Sequence, residues 1–257
     1  MTFEDVYYLG DNTHFKKTLN GPYMFLDPRD GVNLSIMLFG QWEEWITKHF
    51  MAAVKPGMTV LDIGAHCGYY SLLAGMRVYP GGCVHSFEPL PFHHKRFMKS
   101  VSVNGMTDRV HLHKVMLSNK IGEIEIPTNS EEGGAIITYH GVNELSKLTN
   151  VKVKQGILTD YLPSLKADVI KMDIDGSEPL IMHSLLQVID NSKAMTIFME
   201  YAPHLWKGFD PLSIMNGFVD RGFKINILRY DGQIESVTPQ QLAGHDSDQW
   251  LDLMLVR

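Results

Sequence analysis

Cysteine is scarce in this chain. There are two, Cys67 and Cys83, and they form no C-x-x-C pair. That excludes a disulfide framework and makes reduced thiols in a cytosolic compartment the expectation. No positive segment followed by an apolar run opens the sequence, and no apolar run approaches the ~18 residues of a membrane span. The sequence reads as a soluble, cytoplasmic protein. An excess of positive charge is missing too: 23 Lys and Arg stand against 29 Asp and Glu, a net charge of −6. Phosphate backbones call for clustered cations, so nucleic acid is not the expected partner. The basic groups Lys95-Arg96-Lys99 and Lys152-Lys154 read as solvated faces. The 12 histidines include no H-x-x-x-H pair with an acidic partner of the zinc-protease type. Internal repeats and low-complexity segments are also lacking.

What is present is ordinary in amount and informative in order. The 257 residues are 44% hydrophobic and 20% charged, enough for one α/β domain with a full core and extra elements. Residues 1–55 read as a cap. Asp27-Pro28-Arg29-Asp30-Gly31 is a turn signal between two short strands, and Gln41–Val54 carries apolar residues at helical spacing, ended by Pro56-Gly57. Residues 56–257 form the main domain. Strands are expected at Thr59–Ile63, Cys83–Phe87, Val110–Val115, Val169–Met172, Thr196–Glu200, Lys224–Leu228 and Asp252–Val256. Helices are expected at Tyr69–Val78, Phe92–Val103, near Pro179–Val188 and at Pro211–Arg221. A strand-like hairpin containing Gly133-Gly134 spans about 123–139. Strands alternating with helices imply a doubly wound, mainly parallel α/β sheet. The Arg229–Ile234 turn and the terminal strand add an antiparallel edge.

The stretch Val60–Ser71 carries most of the functional signal. An apolar strand ends in Asp62, and Gly64 and Gly68 bracket a turn into a helix. Glycine lets the backbone bend sharply and lets a ligand approach. A dinucleotide fingerprint requires G-x-G-x-x-G, and here His66 stands at the middle glycine. A pyrophosphate is therefore poorly served, which disfavours a nicotinamide dehydrogenase. The next strand ends in Phe87-Glu88-Pro89, with Glu88 placed to accept both ribose hydroxyls of an adenosine.

Together with Lys171–Glu178, these segments resemble the class I S-adenosylmethionine-dependent methyltransferases of the FkbM type. Asn104-Gly105, Val115-Met116-Leu117-Ser118-Asn119 and Ile157–Leu162 follow in matching order, and the resemblance spans roughly 55–205. His66 replaces the asparagine usual in the first turn, and Asp175 replaces the usual glutamate. The resemblance implies a Rossmann-like, seven-stranded sheet with an N-terminal cap and a β-hairpin insertion, and S-adenosyl-L-methionine as cofactor. It implies that Asp62 and the turn Gly64, Ala65, His66, Gly68 and Tyr69 hold the methionine part. Glu88 and Pro89 then serve the ribose, Leu117 and Ser118 flank the adenine, and Asp173 lies near the sulfonium.

The chemistry is expected at the ends of two further strands, since ligands gather outside the carboxyl ends of an open α/β sheet. Asp173 is the first choice for a base or substrate orienter; its alternative role is to cap the following helix. Glu178 reads equally as closing a capping box with Asp175. Glu200 and His204 are further candidates for proton transfer or substrate binding. Asp173, Asp175 and Glu200 could also hold Mg²⁺, although no closed ligand spacing shows. His140 is placed at the substrate mouth. The resemblance favours O-methylation of a hydroxyl on a small-molecule or saccharide acceptor. Methylation of RNA or protein and a non-catalytic cofactor-binding module remain as alternatives, and a homodimer stays open. The absence of an Asn/Asp-Pro-Pro-Tyr motif speaks against amino-nitrogen methylation.

Overall fold

The structure is a computed structural model, and it describes residues 6–128, 149–162, 164–245 and 250–257. The chain opens with β1 (Val6–Tyr8), β2 (His14–Lys17) and β3 (Tyr23–Leu26), a small antiparallel sheet. Then come α1 (Gly31–Phe39) and α2 (Glu44–Ala53). The segment after the Asp27–Gly31 turn is thus a helix, not the second short strand expected. Asp30 decides it: its side chain accepts from the Asn33 backbone N–H at 2.8 Å and caps α1.

The main unit follows as β4 (Thr59–Ile63), α3 (Tyr69–Arg77), β5 (Cys83–Phe87), α4 (Pro91–Val103) and β6 (Val110–His113). A side sheet is made by β7 (Met116–Leu117), β8 (Gly122–Thr128) and β9 (Thr149–Gly156). The chain returns through β10 (Val169–Met172), α5 (Glu178–Asn191), β11 (Thr196–Tyr201) and α6 (Pro211–Val219). It ends with β12 (Lys224–Leu228), β13 (Ile234–Val237), α7 (Pro239–Ala243) and β14 (Leu251–Val256).

The large sheet has the order β13-β12-β14-β11-β10-β4-β5-β6. From β11 to β6 every pairing is parallel. It has eight strands where seven were expected, because the turn after β12 returns as β13. The terminal strand is not an edge. β14 lies antiparallel between β11 and β12, with Leu251, Leu253 and Leu255 buried. Of the hairpin expected at about 123–139, the described part is β8, which among the described residues pairs antiparallel with β9. Gly133, Gly134 and His140 lie outside the described residues.

The pleat sorts side chains to two faces, because successive residues in a strand point oppositely. Leu61, Ile63, Ile170 and Met172 pack with α5 and α6 through Ile181, Leu185 and Phe218. Val60, Val84, Val169 and Phe198 face the other way, onto α2, α3 and α4. The first 55 residues share this second core through Met24, Leu26, Ile36, Ile46 and Phe50. Phe50 meets Tyr70 and Phe198 edge-on, with ring centroids 5.0 and 5.6 Å apart. The sheet order reverses between β4 and β10, so their carboxyl ends leave a crevice between diverging connections.

Candidate active site

That crevice opens into a cavity of about 290 Å³. One half of its wall is backbone and apolar surface. Gly64, at φ 87°, turns the chain sharply out of β4. A Cβ there would lie 1.9 Å from the Asp173 carbonyl oxygen, so only glycine lets the ends of β4 and β10 come this close. Ala65, His66, Cys67, Tyr69 and Tyr70 continue the wall into the start of α3. The first N–H groups of a helix have no partner within it, which suits an anionic group there. Phe87, Leu90, Val115, Met116 and Leu117 make an apolar slot beside Glu88.

Glu88 is buried and pinned. Its Oε2 accepts from the His66 backbone N–H at 2.8 Å and its Oε1 from that of Leu90 at 2.7 Å. Each oxygen keeps a lone pair for a hydroxyl donor. Burial raises its pKa, against the lowering effect of the His66 charge and of the two backbone N–H groups. A flat apolar slot, a pinned carboxylate and a glycine-cornered turn together fit an adenosine carrying an amino-acid tail.

Three residues expected at the cofactor do not line the cavity. Asp62 faces α3, where Ser71 Oγ donates to it and in turn meets Ser86 Oγ at 2.6 Å. Burial pushes its carboxyl up to about 6, while the Ser71 hydrogen bond pulls it down. Asp62 shares strand parity with Val60, which is why it lies under the helix and braces the turn from behind. Gly68 is backed by the Phe97 ring, which a Cβ would meet at 2.4 Å. Ser118 Oγ is engaged by Gln155 Nε2 at 2.9 Å, within the side sheet. Pro89 and Leu117 do line the cavity.

The His66 ring is paired with the cap. Its φ of 52° turns the side chain toward the cap, where Nε2 lies 2.9 Å from Asp30 Oδ2. The ring also packs on His93, with centroids 4.0 Å apart. Burial disfavours its charge, yet the Asp30 hydrogen bond and charge win and hold the imidazolium pKa well above its ordinary value.

The other half of the wall is made of charged side chains. Asp173, Asp175 and Glu200 line it, with one oxygen from each within 4.8 Å of the others. Asp175 sits at φ 51° in the loop before α5. Burial, with the charges of Asp173 and Glu178, pushes its carboxyl to about 7. Burial and the same neighbours push Glu200 to about 10. Among the described residues, Glu200 Oε2 is buried without a hydrogen-bond partner. His204 is not in the wall; its ring faces Trp250 at 5.9 Å. The alternative helix-capping roles also fail. The N-cap of α5 is Ser177, and Glu178 instead accepts from the Ile174 N–H at 3.1 Å and from Trp206 Nε1 at 3.0 Å.

Several wall residues were not among those expected from the sequence. Lys171, 3% exposed, points its Nζ at Asp173 Oδ2 at 2.9 Å. Glu43, Trp42 and Trp250 reach the cavity from distant parts of the chain. One signal was available: Lys171 interrupts the apolar strand Val-Ile-Lys-Met at the position that pairs with Asp62. A cation placed there faces the cap and the site, not the α5 core.

The family model for the methyltransferase FkbM domain matches residues 62–225. Among solved structures, the FkbM methyltransferase from Methylobacillus flagellatus KT is similar at 14% identity and a TM-score of 0.50. The similarity covers 87% of this chain and 52% of that one. TYW2 from M. jannaschii, solved with AdoMet, is similar at 12% identity and a TM-score of 0.49, covering 98% and 90%. TYW2 from P. horikoshii, solved with MeSAdo, gives 14%, 0.49, 97% and 73%. No curated protein matches the chain. The sheet order and the crevice define a Rossmann-like class I S-adenosylmethionine-dependent methyltransferase. The chain belongs to the FkbM methyltransferase family, and its cofactor is S-adenosylmethionine. No helix among the described residues is long and apolar enough to cross a membrane.

Proposed function

We propose that this methyltransferase acts on a hydroxyl oxygen of a small-molecule or saccharide acceptor. The observation that carries this reading is the carboxylate wall of Asp173, Asp175 and Glu200 in a cavity flanked by Trp42 and Trp250. Such carboxyl groups, ionised or protonated, exchange hydrogen bonds with several hydroxyls at once, and indole faces cover the apolar side of a ring. The same wall repels phosphate, which agrees with the net charge of −6 in disfavouring RNA.

The bound cofactor supplies an electrophilic methyl on a sulfonium, and the rest falls to the chain. The turn at Gly64–Tyr69, the slot around Leu117 and the Glu88 carboxylate bind and orient the cofactor. Asp173, tied to the Lys171 ammonium, has one oxygen left to orient the acceptor hydroxyl. Asp175, near 7, is matched to accept its proton at neutral pH. Glu200 keeps its proton and donates a hydrogen bond to a second acceptor oxygen. Holding the acceptor in line with the methyl can supply up to roughly 7–11 kcal/mol of the barrier. Because Lys171 already supplies the cation beside Asp173, turnover is expected to survive EDTA without added Mg²⁺. Residues 1–55 give the cavity Val32, Trp42 and Glu43, so the cap helps select the acceptor.

The test is transfer of a labelled methyl to a panel of neutral saccharides, phosphorylated sugars and RNA, with products read by mass spectrometry. A methyl ether on a neutral saccharide supports the reading. Label confined to RNA or to an amine overturns it. Asp173→Asn is expected to keep cofactor affinity within about threefold and slow turnover at least about tenfold, the lower part of what general acid–base groups contribute. Unchanged turnover removes Asp173 from the orienting role.

A further inference from the structure

One carboxylate in the wall comes from outside the segment that the family model matches. Glu43 immediately precedes α2, where a side chain normally caps the helix. It makes no capping bond, and its backbone is left-handed at φ 42°, ψ 65°. Such a conformation in a non-glycine residue persists only when its surroundings hold it. Here the side chain is turned into the cavity. Tyr70 Oη donates to Glu43 Oε2 at 2.7 Å, and Lys171 Nζ lies 3.8 Å from the same oxygen.

Lys171 therefore stands between two carboxylates, Asp173 at 2.9 Å and Glu43 at 3.8 Å, with its ammonium 5.0 Å from the centre of the Tyr70 ring. A buried ammonium needs its three N–H groups and its charge satisfied, and where it rests between two carboxylates sets how closely it holds each. We propose that Glu43 is a positioning residue for methyl transfer: through Lys171 it sets how tightly Asp173 is held. This assignment rests on the orienting role of Asp173 proposed above.

The groups facing Glu43 are Lys171 on β10, Asp173 just after it, Asp252 on β14 and Tyr70 on α3. Burial, offset by Lys171, pushes its carboxyl to about 7, so its charge changes in the neutral range. With Glu43 protonated, Lys171 belongs to Asp173 alone. With Glu43 ionised, the ammonium is shared and Asp173 is freer to meet a substrate hydroxyl.

Two measurements on the full chain test this. The first needs no acceptor. In ¹⁵N-lysine-labelled protein, the Lys171 ammonium resonance, assigned by its loss in Lys171→Met, is expected to move with a midpoint near pH 7. In Glu43→Gln that movement is expected to disappear, while Glu43→Asp restores it. A resonance indifferent to Glu43→Gln overturns the proposal. The second uses whichever acceptor the saccharide panel identifies. Glu43→Gln is expected to lower kcat at least tenfold and to flatten the limb of the pH profile near 7. S-adenosylhomocysteine affinity is expected to stay within threefold, and Glu43→Asp to recover most of kcat. An unchanged kcat and pH profile with a normal melting temperature overturns it. If no saccharide is methylated, the acceptor reading has failed, and the resonance alone decides whether Glu43 governs Lys171.

Discussion

The two halves of the cavity are built in different ways. The half we assign to the cofactor comes from short contiguous segments, Gly64–Tyr70, Phe87–Leu90 and Val115–Leu117, and much of its shape is backbone. The half we assign to the acceptor is assembled from side chains far apart in sequence: Trp42 and Glu43 from the cap, Lys171 to Asp175, Glu200 and Trp250. One half depends on chain geometry, the other on charges held in balance. Substitutions in the first half should therefore affect cofactor affinity, and those in the second should affect turnover and pH dependence.

The largest effect is expected from Gly64→Ala. Its Cβ would strike the Asp173 carbonyl at a position that already has φ 87°. Backbone strain alone costs about 1–3 kcal/mol. Calorimetry with S-adenosylhomocysteine should show at least about a hundredfold loss of affinity, roughly the 2.7 kcal/mol within that strain; retained affinity would refute the close-approach argument. Glu88→Ala comes next. Removing a charged acceptor of hydroxyl hydrogen bonds should weaken cofactor binding by about 10–100-fold, from ~1.5–3 kcal/mol. Acceptor KM is the control that should stay put.

Smaller effects separate the charged half. Glu200 is raised to about 10 by burial and neighbouring carboxylates, so in the folded state it holds its proton far above its ordinary range. Its stabilising contribution is full below the unfolded value near 4.5 and is lost as pH rises toward 10. Glu200→Gln, which needs no proton, should melt higher than the parent at pH 8 and nearly level with it at pH 4. The smallest change is expected from His66→Asn. The His66–Asp30 pair stabilises the fold fully below the unfolded histidine pKa of about 6.5 and fades as pH climbs through the raised folded value. The variant should lose more melting temperature at pH 6 than at pH 10, with turnover little altered. A large loss of turnover would place His66 among the working groups of the site.

The same contrast explains what could be read in advance. β4, β5, β10 and β12 match their expected bounds because apolar strands closed by turn residues are local signals. The Gly64 turn and Glu88 were legible for the same reason. Asp62 was legible as a residue but not as a contact, because strand parity turns it beneath α3. Ser118 and His204 sit next to the site in sequence and face other partners. Glu43 and Trp250 give no local signal, since their roles exist only once the cap and β14 are folded against the sheet. The helix α1 was missed because an Asp-Gly turn pattern outweighed the N-cap that Asp30 supplies.

The lysine beneath the cap has a consequence for divergence and for engineering. The matched segment 62–225 carries Lys171 and Asp173 but not Glu43. A transplant of residues 56–257 under a foreign N-terminal region would bring the cofactor half across intact. It would also bring a buried cation with one of its two counter-ions left behind. Inheritance of the cap and inheritance of that strand are therefore tied, and a hybrid should become competent only when the incoming cap offers an acidic side chain at the same spot.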